Sequence, residues 1–225
     1  QPDNRIAHSV EDAKKAVEEL SYPVIVRPSY VLGGRAMELI YTDNDLNNYL
    51  TKVANISSDN PLLIEKFLDD AVELDIDVIC DGEKTLIGGV LQHIEEAGIH
   101  SGDSSCSFPP YSVGDTQLHA LKKEIKAVAK KLNVVGLMNA QVAIKDDKFY
   151  MIEVNPRASR TVPFISKAYR EPYVNYAVKI ILGKKTLKDF DMKPYKNGYS
   201  IKEPVFSFNK FPNEAIFLKT SGNQE

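Results

Sequence analysis

At 225 residues the chain has room for one large domain or two modest lobes, and 43% of it is apolar, enough for a substantial core. A formal net charge of -3 supplies no overall attraction to nucleic acid or anionic membrane, so neither is expected as a partner. No apolar run reaches membrane-spanning length and no signal peptide is visible, so a cytoplasmic protein is expected. Cys80 and Cys106 stand apart, with no CxxC spacing and no neighbouring histidine in sequence. Reduced thiols are expected there, in preference to a disulfide or a zinc site. The chain opens at Gln1 in polar loop sequence, which reads as a piece of something larger.

Ser9-Val10-Glu11-Asp12 resembles a capping box, and Val10, Ala13, Val17 and Leu20 mark a short amphipathic helix behind it. Pro23 to Pro28 reads as a buried strand, and Met37 to Tyr41 as another, with Gly33-Gly34 in a hairpin-like loop between them. Asp43 to Val53 suits a helix and Leu62 to Phe67 a strand. Val72 to Cys80 alternates apolar with acidic residues, and Thr85 to His93 follows across an Asp81-Gly82 turn. Leu118, Leu121, Ile125, Val128 and Leu132 fall at helical spacing. Ala140 to Lys145 and Phe149 to Val154 are strands joined by a short acidic turn; helices are expected over 163–169 and 172–182. The pattern is α+β, with a smaller lobe over 1–67, a larger one over 68–188 and an extension of the larger lobe over 189–225.

Gln141, Glu153 and Asn155 make the sharpest chemical cluster, with Arg157 and Arg160 just beyond. Oxygen ligands beside guanidinium groups suit Mg²⁺ bound to a polyphosphate, hence an ATP-using enzyme. The reading carries a geometric condition, because residues opposite one another on paired strands point to the same face. A two-residue turn at Asp146-Asp147 would set Gln141 opposite Ile152. A three-residue loop, Asp146-Asp147-Lys148, would set it opposite Glu153, with Asn155 on the same face, so shared metal binding predicts the three-residue loop. A polar sheet face open to water is the competing reading. Gly33-Gly34-Arg35 is neither a Walker loop nor a dinucleotide fingerprint. It fits a phosphate-covering loop or a plain hairpin equally well. Arg27, at a strand end, needs an anionic partner or a route to solvent. Residues 95–106 form a polar loop in which no serine sits in a nucleophile elbow, so acyl-enzyme chemistry is set aside.

Three segments together resemble the large chain of carbamoyl phosphate synthase: Val26 to Met37, Gly98 to Ser104 and Glu153 to Arg160. The likeness runs over nearly the whole chain. The Gly-Gly-Arg-Ala-Met loop and the Asn-Pro-Arg ending look like the C-terminal, carbamate-phosphorylating half, in its bacterial rather than animal form. The resemblance implies an ATP-grasp fold with two lobes clamping the nucleotide. Arg27, Gly33 and Gly34 would meet the phosphates, Lys66 and Leu68 the adenine, and Glu73 the ribose. Gly98, Ile99, His100 and Ser101 would complete the nucleotide wall. Gln141, Glu153 and Asn155 would hold two divalent ions, Mg²⁺ or Mn²⁺, and Arg157 and Arg160 would steady the transferring phosphoryl group and carbamate. It further implies K⁺ as a monovalent cofactor, a glutaminase small subunit and the remainder of the large chain as partners, and roles in pyrimidine and arginine biosynthesis. Alternatives are another ATP-grasp carboxylate ligase, biotin carboxylase-like or D-alanine ligase-like, and a nucleotide-binding module without turnover. The end from Asn213 to Glu225 is shorter than the family's usual continuation.

Overall fold

The computed structural model describes residues 1–29, 36–53, 59–95, 97 and 104–205. Expectations for Gly33, Gly34 and Arg35, for Gly98 to Ser101, and for the tail from residue 206 lie outside the described residues. The elements in chain order are β1 (Asn4–Ala7), α1 (Val10–Leu20), β2 (Val24–Pro28), β3 (Glu38–Ile40), α2 (Asp43–Lys52) and β4 (Leu62–Lys66). Next come β5 (Val72–Asp81), β6 (Thr85–His93), β7 (Cys106–Phe108), α3 (Asp115–Lys131), β8 (Val135–Lys145) and β9 (Lys148–Asn155). The series closes with α4 (Val162–Tyr169), α5 (Tyr173–Ile181), a 3₁₀ turn (Leu187–Asp189) and β10 (Ser200–Lys202). Three of these, β1, β7 and β10, were not expected from sequence. At three or four residues each they are too short for alternation to show.

The first four strands form a sheet in the order β1-β4-β2-β3, with α1 and α2 on one face. Val24, Val26, Leu62 and Ile64 point into that layer and meet Ala13, Val17, Leu46 and Tyr49. Their strand neighbours Ile25, Arg27, Leu63 and Glu65 take the opposite, half-buried face. Both helices start on a side-chain cap. Ser9 Oγ accepts from Asp12 N at 3.0 Å, but the Asp12 carboxylate bonds His8 N rather than closing the expected box. Thr42 and Asp45 do close one, at 3.2 and 3.0 Å, and each such cap contributes about 1 kcal/mol.

The second sheet runs β10-β7-β6-β5-β8-β9, antiparallel throughout. One face is apolar: Leu74, Ile76, Val78, Met138, Ala140 and Val142 pack under Leu121, Ile125 and Ala129 of α3. The other face is divided. Ile79, Leu91 and Phe108 lie under α4 and α5, where they meet Ile165, Tyr173 and Ile180. The rest of it carries Asp75, Asp77, Asn139 and Gln141.

The β8–β9 connection corrects the three-residue loop predicted from sequence. Lys145 pairs directly with Lys148, so the turn has two residues, Asp146 (φ 49°) and Asp147 (φ 60°). Two left-handed residues suit a tight hairpin whose twist matches that of the strands. Gln141 nonetheless pairs with Glu153, because the register shifts between Gln141 and Val142 and leaves Ile152 as an extra, bulged residue. Packing explains the choice. Phe149 and Met151 lie opposite Ile144 and Val142 and join the apolar layer beneath α3. Without the bulge, Glu153 and Asn155 would follow them onto that same face.

Candidate nucleotide and metal site

The polar part of the large sheet is built from two cross-strand rows. Asp75, Gln141 and Glu153 are opposite one another on β5, β8 and β9; Asp77, Asn139 and Asn155 form the next row. Directly after β9 the chain turns over these rows and carries Arg157, Ser159, Arg160 and Thr161 above them. A single cleft is lined by Asp75, Asn139, Gln141, Glu153, Asn155, both arginines, Ser159 and Thr161. The five residues first singled out from sequence are thus brought together.

The donor set suits a hard divalent cation. Gln141 and Asn155 offer amide oxygens and Glu153 a carboxylate, all from one sheet face. Asn155 Nδ2 donates to Glu153 Oε1 at 2.6 Å, which already holds the two side chains side by side. Glu153 and both arginines are exposed, so ligand charge can reach them without a prior opening of the core.

Of the residues behind this front, Glu73 was expected at the ribose and lies buried beside His93; the others were missed from sequence. Asp75 is buried, 2.9 Å from His93 Nε2, and accepts from Asn139 Nδ2 at 3.3 Å. His93 Nδ1 lies 3.9 Å from Glu73, and the Cys106 thiol is part of the same buried group. Cys106 therefore has a histidine neighbour in space although none in sequence; both cysteines are buried free thiols. Burial alone would push His93 down, but its bond to Asp75, the contact with Cys106 and the charge of Glu73 together raise it to about 10. Asp77 goes the other way from an ordinary exposed carboxylate. Burial pushes it up to about 6 despite hydrogen bonds from Ser159, Thr161 and Asn139, and the charge of Asp75 adds to the rise. The available signal was the i, i+2, i+4 spacing of Glu73, Asp75 and Asp77 in β5, which places three carboxylates on one face.

Other expected contacts are placed apart from this cluster, on or beside the small sheet. Arg27 Nε lies 3.4 Å from Glu65, the anionic partner its position required. Lys66 Nζ donates to the Ser21 and Tyr22 carbonyls at 3.0 and 2.9 Å. Leu68 follows β4 and is half-buried.

Comparison with known proteins agrees with this architecture. Residues 2–189 match the family described as carbamoyl-phosphate synthase L chain, ATP binding domain. The carbamoyl phosphate synthase large chain of Archaeoglobus fulgidus is 49% identical over 214 residues, and that of Vibrio cholerae 47% identical over the same length. Each alignment covers 94% of this chain but 20% of the relative, so the chain spans about a fifth of their length. Among solved structures, Campylobacter jejuni biotin carboxylase superposes with a TM-score of 0.71 at 18% identity, covering 89% of this chain and 46% of that one. An N5-carboxyaminoimidazole ribonucleotide synthetase in complex with ADP gives 0.68 at 18% identity, over 82% and 48%. These likenesses establish the ATP-grasp fold. The chain belongs to the ATP-binding-domain family of the carbamoyl phosphate synthase large chain.

Proposed function

We propose that this chain is the carbamate-phosphorylating module of a carbamoyl phosphate synthase, joining carbamate to the terminal phosphoryl group of ATP. The observation that carries the reading is the oxygen face of Gln141, Glu153 and Asn155 set beneath Arg157 and Arg160 in one cleft. Residues 1–67 would form the smaller lobe with its glycine-loop lid, 68–188 the larger lobe, and 189–225 its extension. Gln141, Glu153 and Asn155 would hold two divalent ions, Mg²⁺ or Mn²⁺, which when bound offset phosphate charge and fix the phosphate oxygens. K⁺ would serve as a monovalent cofactor.

The protein's own part is then positioning and charge. A carbamate oxygen attacks the γ-phosphorus, the bond to the bridging oxygen breaks, and ADP leaves; no protein nucleophile is required. Arg157 and Arg160 face the charge that spreads over the phosphoryl oxygens. Arg27 would draw on the same phosphates by giving up Glu65, and Lys66 and Leu68 would meet the adenine. Glu73 would accept the ribose hydroxyls, while Gly33, Gly34 and the 98–101 segment would enclose the nucleotide. In the whole enzyme the remainder of the large chain and a glutaminase small subunit would supply carbamate and ammonia for pyrimidine and arginine synthesis.

The test is the reverse reaction: ATP formed from MgADP and carbamoyl phosphate by the purified 225-residue chain. Formation of ATP that falls by at least about a hundredfold in Glu153→Gln, in line with losing a charge-stabilising group, is the expected result. ATP formation unaffected by Glu153→Gln would place the metal site elsewhere. Phosphoryl transfer only to a different carboxylate acceptor would replace carbamate with that acceptor.

A further inference from the structure

The segment bearing the two arginines is tied down at both ends to one row of the large sheet. At its start, Asn155 is in the ladder opposite Asn139. At its end, Ser159 Oγ donates to Asp77 Oδ1 at 2.6 Å and Thr161 Oγ1 to Asp77 Oδ2 at 2.5 Å. Ser159 Oγ also accepts from the backbone N–H groups of Thr161 and Val162, at 3.1 and 3.2 Å, and lies 2.7 Å from Thr161 Oγ1. One buried carboxylate thereby fixes the turn that leads from Arg160 into α4.

The same carboxylate is linked to the site itself. Asn139 Nδ2 donates to Asp77 Oδ1 at 3.1 Å and to Asp75 Oδ1 at 3.3 Å, so one amide joins the anchor to the neighbouring row that contains Gln141 and Glu153. Asp77 also sits where the β5–β6 register shifts, a place where a bulge re-aims side chains. Burying a carboxylate is costly unless several donors meet it, and here three side-chain donors from two parts of the chain do so. An apolar side chain would fill the space under α4 but could not set the height and angle of the loop.

The geometry points to Asp77 as a positioning residue that, through Ser159 and Thr161, holds Arg157 and Arg160 over the terminal phosphoryl group. Asp77 itself is buried and is not among the residues that line the cleft. This inference rests on the phosphoryl-transfer reading above and names what aims its two cationic groups. Misplacing a charged group by about 1 Å can cost up to about a hundredfold in rate, and the loss falls on interactions with the transferring group.

Binding of MgATP and MgADP to the 225-residue chain is measured by calorimetry, alongside ATP formation from MgADP and carbamoyl phosphate. The wild type is expected to prefer MgATP, because only MgATP reaches the arginines fully. Asp77→Asn and Thr161→Val are expected to cut that preference about tenfold, with MgADP affinity moving less than about twofold. Thr161→Ser, which keeps the hydroxyl, is expected to restore it. If Asp77→Asn does not fold, the Thr161 pair decides. A preference unchanged in folded variants, or equal losses for both nucleotides, overturns the inference, as does a wild type that shows no preference. A wild type that prefers MgATP in the expected manner yet forms no ATP counts against the carbamate reaction and leaves the positioning role standing.

Discussion

Deleting Ile152 tests whether the β9 bulge exists to reverse the facing of the strand. Phe149, Met151, Glu153 and Asn155 are all odd-numbered, and on a regular strand all would share one face. In the fold the first two enter the apolar layer while the last two face the cleft, and Ile152 is the residue that resets the alternation. With Ile152 removed, Met151 and Glu153 become adjacent and still point to opposite faces, so every cross-strand pair survives. Ile152 is 44% exposed, so the lost burial is about half of a full side chain, roughly 1 kcal/mol, or a melting temperature lower by about 2–4 °C. Metal-dependent nucleotide affinity should stay within about threefold, since the donor set is unchanged. Calorimetric titration of ADP with and without Mn²⁺, and a thermal melt, measure both. Were the facing lost instead, Glu153 would be driven in beside Val142 and Val154 at a cost of several kcal/mol, and the chain would unfold. A folded deletion variant with metal dependence as poor as Glu153→Gln would refute the argument: the bulge would then be shaping the site rather than only turning it.

Two further outcomes are expected. His93 is raised to about 10 in the fold against an unfolded value near 6.5, so its contribution to stability is complete below about pH 6.5 and is lost as pH climbs through 10. The unfolding free energy from urea titration should therefore fall between pH 6.5 and 10 by an amount on the order of several kcal/mol, and a His93→Gln variant with the same fall would assign it to other groups. At Gly89 an added Cβ would lie 3.0 Å from Ile165 and 3.1 Å from Phe108, whereas at Gly88 its nearest neighbour is 3.4 Å away. Gly89→Val should therefore cost about 1–3 kcal/mol through overpacking beneath α4, and more than Gly88→Ala; equal melting temperatures for the two would contradict the packing.

The primary structure by itself determined most of the elements and the chemical character of the site. Helical spacing marks α1 and α3, and prolines and apolar runs mark β2 and β4. The nearness of Glu153, Asn155, Arg157 and Arg160 along the chain announces a metal–phosphate chemistry, because four of the five groups lie on a single strand and its exit. These features are local, and local periodicity and spacing are legible without a fold. What only the tertiary structure decided is everything that depends on partners distant in sequence. Whether the acidic alternation of β5 faced water or an interior could not be read from Glu73, Asp75 and Asp77 themselves. The donors that make their burial tolerable come from His93, Asn139, Ser159 and Thr161, and the last two stand 82 and 84 residues away from Asp77. The three-residue loop expected between β8 and β9 failed for a related reason. A three-residue loop, or a two-residue turn with a bulge, delivers the same Gln141–Glu153 pair, and only the apolar layer under α3, which claims Phe149 and Met151, selects between them.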